Sequence, residues 1–167
     1  DNIKGLSSGA IKCFGIDLAK SSDFTCIIGL DNNGETAYFE RFQKDWGTTK
    51  SHIINTIKNI PTLIDSTGVG DSIVEDLQRS RANITGFKFT AQSKQQLMEG
   101  LANSIQQGKI KYPDGIIAEE LKSFEYEFTR SGVKYSAPNG MHDDTVCALA
   151  LANFHLRRGT YSGMVIA

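Results

Sequence analysis

Four aspartates stand where an acidic side chain needs an explanation. Asp17 lies near the end of an apolar, strand-like run, Asp65 closes a second such run, and Asp143 and Asp144 open the predicted last helix. An unpaired charge in an apolar interior is costly, and carboxylates gathered at one point repel one another unless a cation compensates them. Mg²⁺ and Mn²⁺ prefer such oxygen ligands. The pattern therefore points to a divalent metal centre, and two ions about 3.5–4 Å apart would suit displacement at phosphorus.

Each acid taken alone also has a simpler interpretation. Asp17 and Asp65 would then be turn or helix-cap residues, and the Asp143–Asp144 pair would complement the dipole of the last helix. On a helical wheel, Asp143 shares the apolar stripe and points inward, whereas Asp144 lies about a hundred degrees away at its edge. His142 could orient a carboxylate, bind a metal, take part in proton transfer or only cap the helix. Both aspartates remain candidate metal ligands, and His142 a candidate catalytic residue.

The hydrophobic pattern predicts a mixed α/β fold, with helices on both faces of one sheet. The predicted strands are 11–18, 24–30, 35–42, 62–65 and 84–89, the first three forming an antiparallel meander. The predicted helices are 48–59, one ending near 80, 93–107, 115–122 and 141–158. Alternating apolar residues predict an added β-hairpin, with Phe124, Tyr126 and Phe128 in its first strand and Val133 and Tyr135 in its second. We interpret 1–10 as a linker, 11–158 as one domain and 159–167 as a tail.

Composition and charge leave the function class open. The chain has 167 residues, 40% hydrophobic and 22% charged, which suits one globular domain with a proper core. Its net charge of -1 gives no overall attraction to nucleic acid or membrane. Three widely spaced cysteines in apolar settings predict reduced core residues of a cytosolic protein. There is no apolar run of membrane-spanning length, no signal peptide and no GxxxxGK[ST] phosphate loop.

Three stretches together resemble a known family. They are FGIDLAKSSDFTCIIGLD (14–31), LIDSTGVGDSIVEDL (63–77) and HDDTVCALALA (142–152). Each is weak alone, but in this order they resemble the C-terminal nuclease domain of the large terminase subunit of tailed bacteriophages, within the ribonuclease H-like superfamily. The resemblance covers about residues 11–158. It implies a ribonuclease H-like mixed sheet, an antiparallel three-strand meander plus parallel strands, with helices on both faces.

The resemblance also implies an activity and its cofactor. Members of the family cut double-stranded viral DNA during genome packaging and use two Mg²⁺ or Mn²⁺ ions. Asp17 would bridge both ions, Asp65 would hold one, and Asp143, Asp144 or both would hold the other. The implied partners are double-stranded DNA, an N-terminal packaging ATPase domain, the portal and the small terminase subunit. The implied location is the host cell cytoplasm.

Basic residues near the acids are candidates for DNA contact. They are Lys20, Lys94, Lys122, Arg130 and Lys134. Such backbone contacts would be sequence-tolerant and sensitive to salt, and the predicted hairpin would shape DNA access.

Other functions remain open at this stage. A Holliday-junction resolvase or a ribonuclease H would share the fold and the acids, and a catalytically silent nucleic-acid-binding module would share the fold alone. The actin-like ATPase fold needs two such domains, for which 167 residues are too few.

Overall fold

The computed structural model describes residues 1–19, 24–67, 70–80, 83–131 and 142–158. Its strands are β1 (Ile11–Asp17), β2 (Thr25–Asp31), β3 (Thr36–Phe42), β4 (Thr62–Asp65) and β5 (Ile84–Phe87). Its helices are α1 (Trp46–Ile57), α2 (Gly70–Arg79), α3 (Ala91–Gln106), α4 (Ile116–Ser131) and α5 (Asp144–Arg158). The predicted mixed α/β fold is confirmed.

The five strands form one mixed sheet in the order β3-β2-β1-β4-β5. β1 pairs antiparallel with β2, and β2 antiparallel with β3, which confirms the predicted meander. β4 pairs parallel with both β1 and β5. The carboxyl ends of β1, β4 and β5 therefore meet at one edge of the sheet, the edge to which ligands bind in many α/β proteins.

Two apolar clusters cover the two faces of the sheet. Side chains alternate between faces along a strand, so Phe14 and Ile16 pack on one side with Ile53 and Ile57 of α1. Cys13, on the other side, joins the cluster that contains α3, α4 and α5. The prediction of helices on both faces is confirmed.

Helix α5 lies directly against β1, and Gly15 makes this possible. A Cβ at Gly15 would stand 2.2 Å from the carbonyl oxygen of Ala148 and 2.4 Å from the backbone nitrogen of Ala152. Ala148 and Ala152 are themselves small and fully buried. The absence of a side chain on β1 and the short side chains on α5 bring the first turn of the helix to the end of β1.

The predicted first strand of the added hairpin is wrong. Phe124, Tyr126 and Phe128 lie within helix α4, which continues to Ser131. Buried Ile117, Leu121 and Phe124 follow the helical spacing i, i+4, i+7 and join the core under α5. The predicted second strand, with Val133 and Tyr135, lies outside the described residues.

The first residues of the chain are held on the domain. The Asn2 side chain donates to the carbonyl oxygens of Ile105 and Ile110, both at 3.0 Å. The Ser7 hydroxyl donates to Asp31 at 2.5 Å. These contacts lie at the opposite end of β1 from Asp17, because Ile11 pairs with Asp31. The division into linker, domain and tail stays a prediction. In the ranges described above, no helix is long and apolar enough to cross a bilayer.

Candidate metal centre

Strand register brings Asp17 and Asp65 side by side. Ile16 pairs with Ile64 in the parallel β1–β4 ladder, and the next step of that register places Asp17 beside Asp65, with neighbouring strands about 4.8 Å apart. Asp65 pairs in turn with Phe87. Phe87 belongs to the cluster under α5, so the row containing both aspartates faces that helix. The two acids predicted at strand ends therefore share one edge and one face.

Asp143 reaches the same place from helix α5. Burial, together with the negative charges of Asp17, Asp143 and Asp65, raises the pKa of the Cys147 thiol. These charges act on one thiol on the α5 side of the sheet, but among the described residues the three carboxylates do not come close enough together to form a three-ligand metal group. The charge of Lys94 acts on the Cys147 thiol in the opposite direction and lowers its pKa.

The surroundings of the three aspartates differ. Asp65 is 3% exposed, and its Oδ1 accepts a hydrogen bond of 2.8 Å from the backbone nitrogen of Thr67. Asp17 and Asp143 are half-buried. The carbonyl oxygen of Asp143 accepts from the backbone nitrogen of Cys147 at 2.9 Å, so Asp143 occupies the N-cap position of α5. A side chain at this position moves with the first turn of the helix.

Asp144, the second acid of the pair, lies against Arg41 of β3. Arg41 Nε donates to Asp144 Oδ2 at 2.8 Å, and Arg41 Nη2 donates to Asp144 Oδ1 at 3.4 Å. Burial alone would lower the pKa of Arg41, but the hydrogen bond and charge of Asp144 outweigh it and raise the pKa. Asp144 is 3% exposed. The two neighbouring aspartates therefore lie in two different environments.

Glu120 of α4 completes this second environment. Its Oε1 accepts hydrogen bonds from the Thr145 backbone nitrogen at 3.0 Å and from the Thr145 hydroxyl at 2.6 Å. Its Oε2 lies 3.8 Å from Arg41 Nη2. Burial raises the pKa of Glu120; the hydrogen bonds from Thr145 oppose this, and the charge of Asp144 adds to it. Glu120, from a neighbouring helix, thereby caps the buried Thr145 N–H in the first turn of α5, which has no partner within the helix.

Arg41 and Glu120 were missed by the sequence reasoning. Glu120 shows one usable signal, since it interrupts the apolar stripe of Ile117, Leu121 and Phe124 on α4. Arg41 shows a weaker one, a cation inside a predicted strand. The sequence does not show which residue of β2 pairs with Arg41; the structure shows that it is Cys26.

His142 lies beside Phe24 at the edge of the site. The two rings meet edge to face, with centroids 5.4 Å apart, and His142 is exposed. The guanidinium carbon of Arg41 lies 3.6 Å from the centroid of the same Phe24 ring. A catalytic role for His142 stays a prediction.

Of the predicted DNA-contact residues, the structure places two side chains. Lys94 lies on α3, with its ammonium 5.7 Å from the centroid of the Phe89 ring, and Lys122 is exposed on α4. The Arg130 side chain and all of Lys20 and Lys134 lie outside the described residues. A cleft of about 140 Å³ also opens beside the end of β1. It is lined by Leu18, Ala19, Thr25, Lys44, Trp46, Thr49 and Ile73.

Comparison with known proteins identifies the family. A family model described as the terminase RNase H-like domain matches residues 14–156. The chain belongs to this family. The large terminase subunit of Thermus phage G20c is 34% identical to this domain in an alignment 153 residues long, and the alignment covers 85% of this chain and 31% of the relative. The chain thus spans about a third of that relative's length.

Solved structures of a related nuclease share the fold of this terminase RNase H-like domain. The large terminase nuclease of phage G20c with bound magnesium matches with a TM-score of 0.78 and 30% identity, over 89% of this chain and 83% of that one. The same nuclease with bound zinc matches with a TM-score of 0.72 and 26% identity, over 94% of this chain and 85% of that one. With bound cobalt it matches with a TM-score of 0.74 and 27% identity, over 89% of this chain and 83% of that one. The expected ribonuclease H-like fold is confirmed, and the related nuclease binds divalent metals.

Proposed function

We propose that this chain is a metal-dependent endonuclease domain that cuts double-stranded viral DNA during genome packaging. The observation that carries the proposal is the parallel register that sets the ends of β1 and β4, with Asp17 and Asp65, side by side under α5, whose N-cap is Asp143. The family match and the metal-bound structures of the related nuclease support it.

The donor set fits a hard divalent cation. The three groups offer carboxylate oxygens, the ligands that Mg²⁺ and Mn²⁺ prefer, and their mutual repulsion calls for a counter-charge. In the described part of the chain, no three side chains of His, Cys, Asp or Glu lie close enough to hold a metal by themselves. That is compatible with Mg²⁺, which usually keeps several waters and takes one or two protein carboxylates together with substrate phosphates.

The roles proposed for the residues follow from their positions. Asp17 would be shared by two ions, with Asp65 and Asp143 holding one each. When bound, the ions would supply Lewis-acid stabilisation of the attacking and leaving oxygens of an in-line displacement at phosphorus. Lys94, on α3, would attract the DNA backbone and position it without reading sequence. Lys44, in the cleft beside β1, is a further candidate for backbone contact.

The proposal is tested with supercoiled plasmid DNA incubated with Mg²⁺, Mn²⁺ or EDTA. We expect nicking and linearisation with either metal, none with EDTA, and loss of cleavage in Asp17→Asn. Asp114→Asn, at an exposed turn, is the matched control and should cut like the wild type. Cleavage by a folded Asp17→Asn protein at the wild-type rate would refute the proposal. Faster cutting of branched DNA or of an RNA–DNA hybrid would instead assign a resolvase or a ribonuclease H.

The biological setting is proposed from the relatives. The large terminase subunit extends well beyond the part that this chain matches. We propose that the domain works in the host cell cytoplasm beside a packaging ATPase domain, the portal and the small terminase subunit. Pull-down of the portal and small subunit with the full-length large subunit, with and without this domain, would test whether the domain contributes to either contact.

A further inference from the structure

We infer that Arg41 is a positioning residue, which holds Asp143 at the metal centre by anchoring the first turn of α5 through Asp144. In this assignment Asp144 is the anchor of the helix and is not a metal ligand. The inference rests on the proposed function, because it takes Asp143 as a ligand.

The first support is the geometry of the Arg41–Asp144 pair. Both carboxylate oxygens of Asp144 face the guanidinium, at 2.8 Å and 3.4 Å. The two side chains are 16% and 4% exposed, so water screens their attraction only weakly. A guanidinium that binds a carboxylate with two donors also fixes its orientation. The first residue of α5 is therefore tied to β3 by a directional contact.

The second support is Glu120, which ties the next residue of α5 to α4. It accepts from both the backbone nitrogen and the hydroxyl of Thr145. Arg41 lies within 3.8 Å of Glu120 as well, so one guanidinium compensates two buried carboxylates. Removing Arg41 would leave both uncompensated, and the first turn of α5 would have to shift to bring these charges towards water.

The third support is Phe24, which connects the same arginine to the segment before α5. Arg41 stacks on one side of the Phe24 ring at 3.6 Å, and His142 meets the ring edge to face. His142 directly precedes Asp143. Arg41 thus contacts, directly or through Phe24, the residues on both sides of Asp143 in sequence.

The two possible roles of Asp144 predict opposite effects of removing Arg41. If Asp144 were a metal ligand, loss of the competing cation would free the carboxylate and strengthen metal binding. If Arg41 positions Asp143, its loss weakens metal binding. The two roles therefore predict changes in metal affinity of opposite sign. If Arg41 positions Asp143, the loss of affinity should be about 10–100-fold, which is typical for groups that orient metal ligands.

The test is calorimetric titration of the 167-residue chain with Mn²⁺ alone. We expect Arg41→Met and Asp144→Asn each to weaken Mn²⁺ binding about 10–100-fold, and the double variant to bind no more weakly than Arg41→Met. Arg41→Lys should fall between Arg41→Met and wild type, because it keeps the charge but loses the planar fork. Arg79→Met, at a 70% exposed arginine, is the matched control and should bind like the wild type.

Melting curves distinguish a loss of Mn²⁺ affinity from a loss of folded protein. Affinities are compared below the melting temperature of each variant, and Asp144→Asn should partly restore the melting temperature lost in Arg41→Met by removing one uncompensated charge. Unchanged or stronger Mn²⁺ binding by folded Arg41→Met would overturn the inference while leaving the metal centre intact. A wild-type chain that binds no Mn²⁺ would overturn both the inference and the proposed function.

Discussion

Substituting Gly15 by alanine should separate α5 from β1. The added Cβ would stand 2.2 Å from the Ala148 carbonyl oxygen and 2.4 Å from the Ala152 nitrogen. Non-bonded heavy atoms prefer separations of about 3.5 Å, so the helix would have to move by about 1 Å. Overpacking of a core usually costs about 1–3 kcal/mol. We expect about 3 kcal/mol here, because both obstructing atoms belong to the backbone of a buried helix.

The same shift should damage the site, because α5 carries Asp143. A misplacement of about 1 Å can cost about 100-fold in rate, so plasmid cleavage and Mn²⁺ affinity should both fall. Urea unfolding measures the stability. Gly100→Ala, in α3 with no atom within 4 Å of the new Cβ, is the control and should stabilise the protein by about 0.5–1 kcal/mol. A Gly15→Ala protein within about 0.5 kcal/mol of wild type, a change typical of neutral surface sites, would refute the close packing.

Two further predictions concern charge. Burial would raise the pKa of Asp31, but hydrogen bonds from the Ser7 hydroxyl and from neighbouring backbone N–H groups lower it overall. Its stabilisation is therefore present above the unfolded pKa of about 4 and is lost as pH falls through the lower folded value. Asp31→Asn should cost about 1–2 kcal/mol at pH 7 and should flatten the acid limb of stability measured by urea unfolding; an unchanged acid limb would contradict this. Lys94→Ala should weaken duplex DNA binding at low salt and reduce the slope of log affinity against log salt by about 0.9. Lys4→Ala, at the other end of the sheet, should leave both unchanged, and equal effects of the two substitutions would contradict a local role for Lys94.

The parts of the fold that follow from local patterning were predictable. β1 and β4 are short apolar runs that end in Asp17 and Asp65, and strand alternation determines which face each aspartate occupies. The helical wheel separated Asp143 from Asp144, but it placed Asp143 on the buried side, whereas Asp144 is 3% exposed and Asp143 is half-buried. The parallel pairing that joins the two strand ends could only be expected from the fold class.

Long-range packing was not predictable from the same patterns. Phe124, Tyr126 and Phe128 alternate like a strand, but Phe124 and Phe128 are also four residues apart, as on a helix. Burial of α4 against α5 favours the helix. Arg41 and Asp144 are separated by 103 positions in the sequence, so no local signal pairs them. This is why the sequence left open whether Asp143, Asp144 or both bind metal.

The central claim is that Asp17, Asp65 and Asp143 form one metal centre. The most direct measurement is Mn²⁺ affinity, by calorimetric titration, for the Asn variant of each. We expect each of these folded variants to lose about 100-fold or more in Mn²⁺ affinity, because each removes a proposed ligand. Substituting residues that only orient metal ligands already costs about 10–100-fold. Asp114→Asn should bind like the wild type. Wild-type Mn²⁺ affinity in any one of the three variants would contradict the assignment.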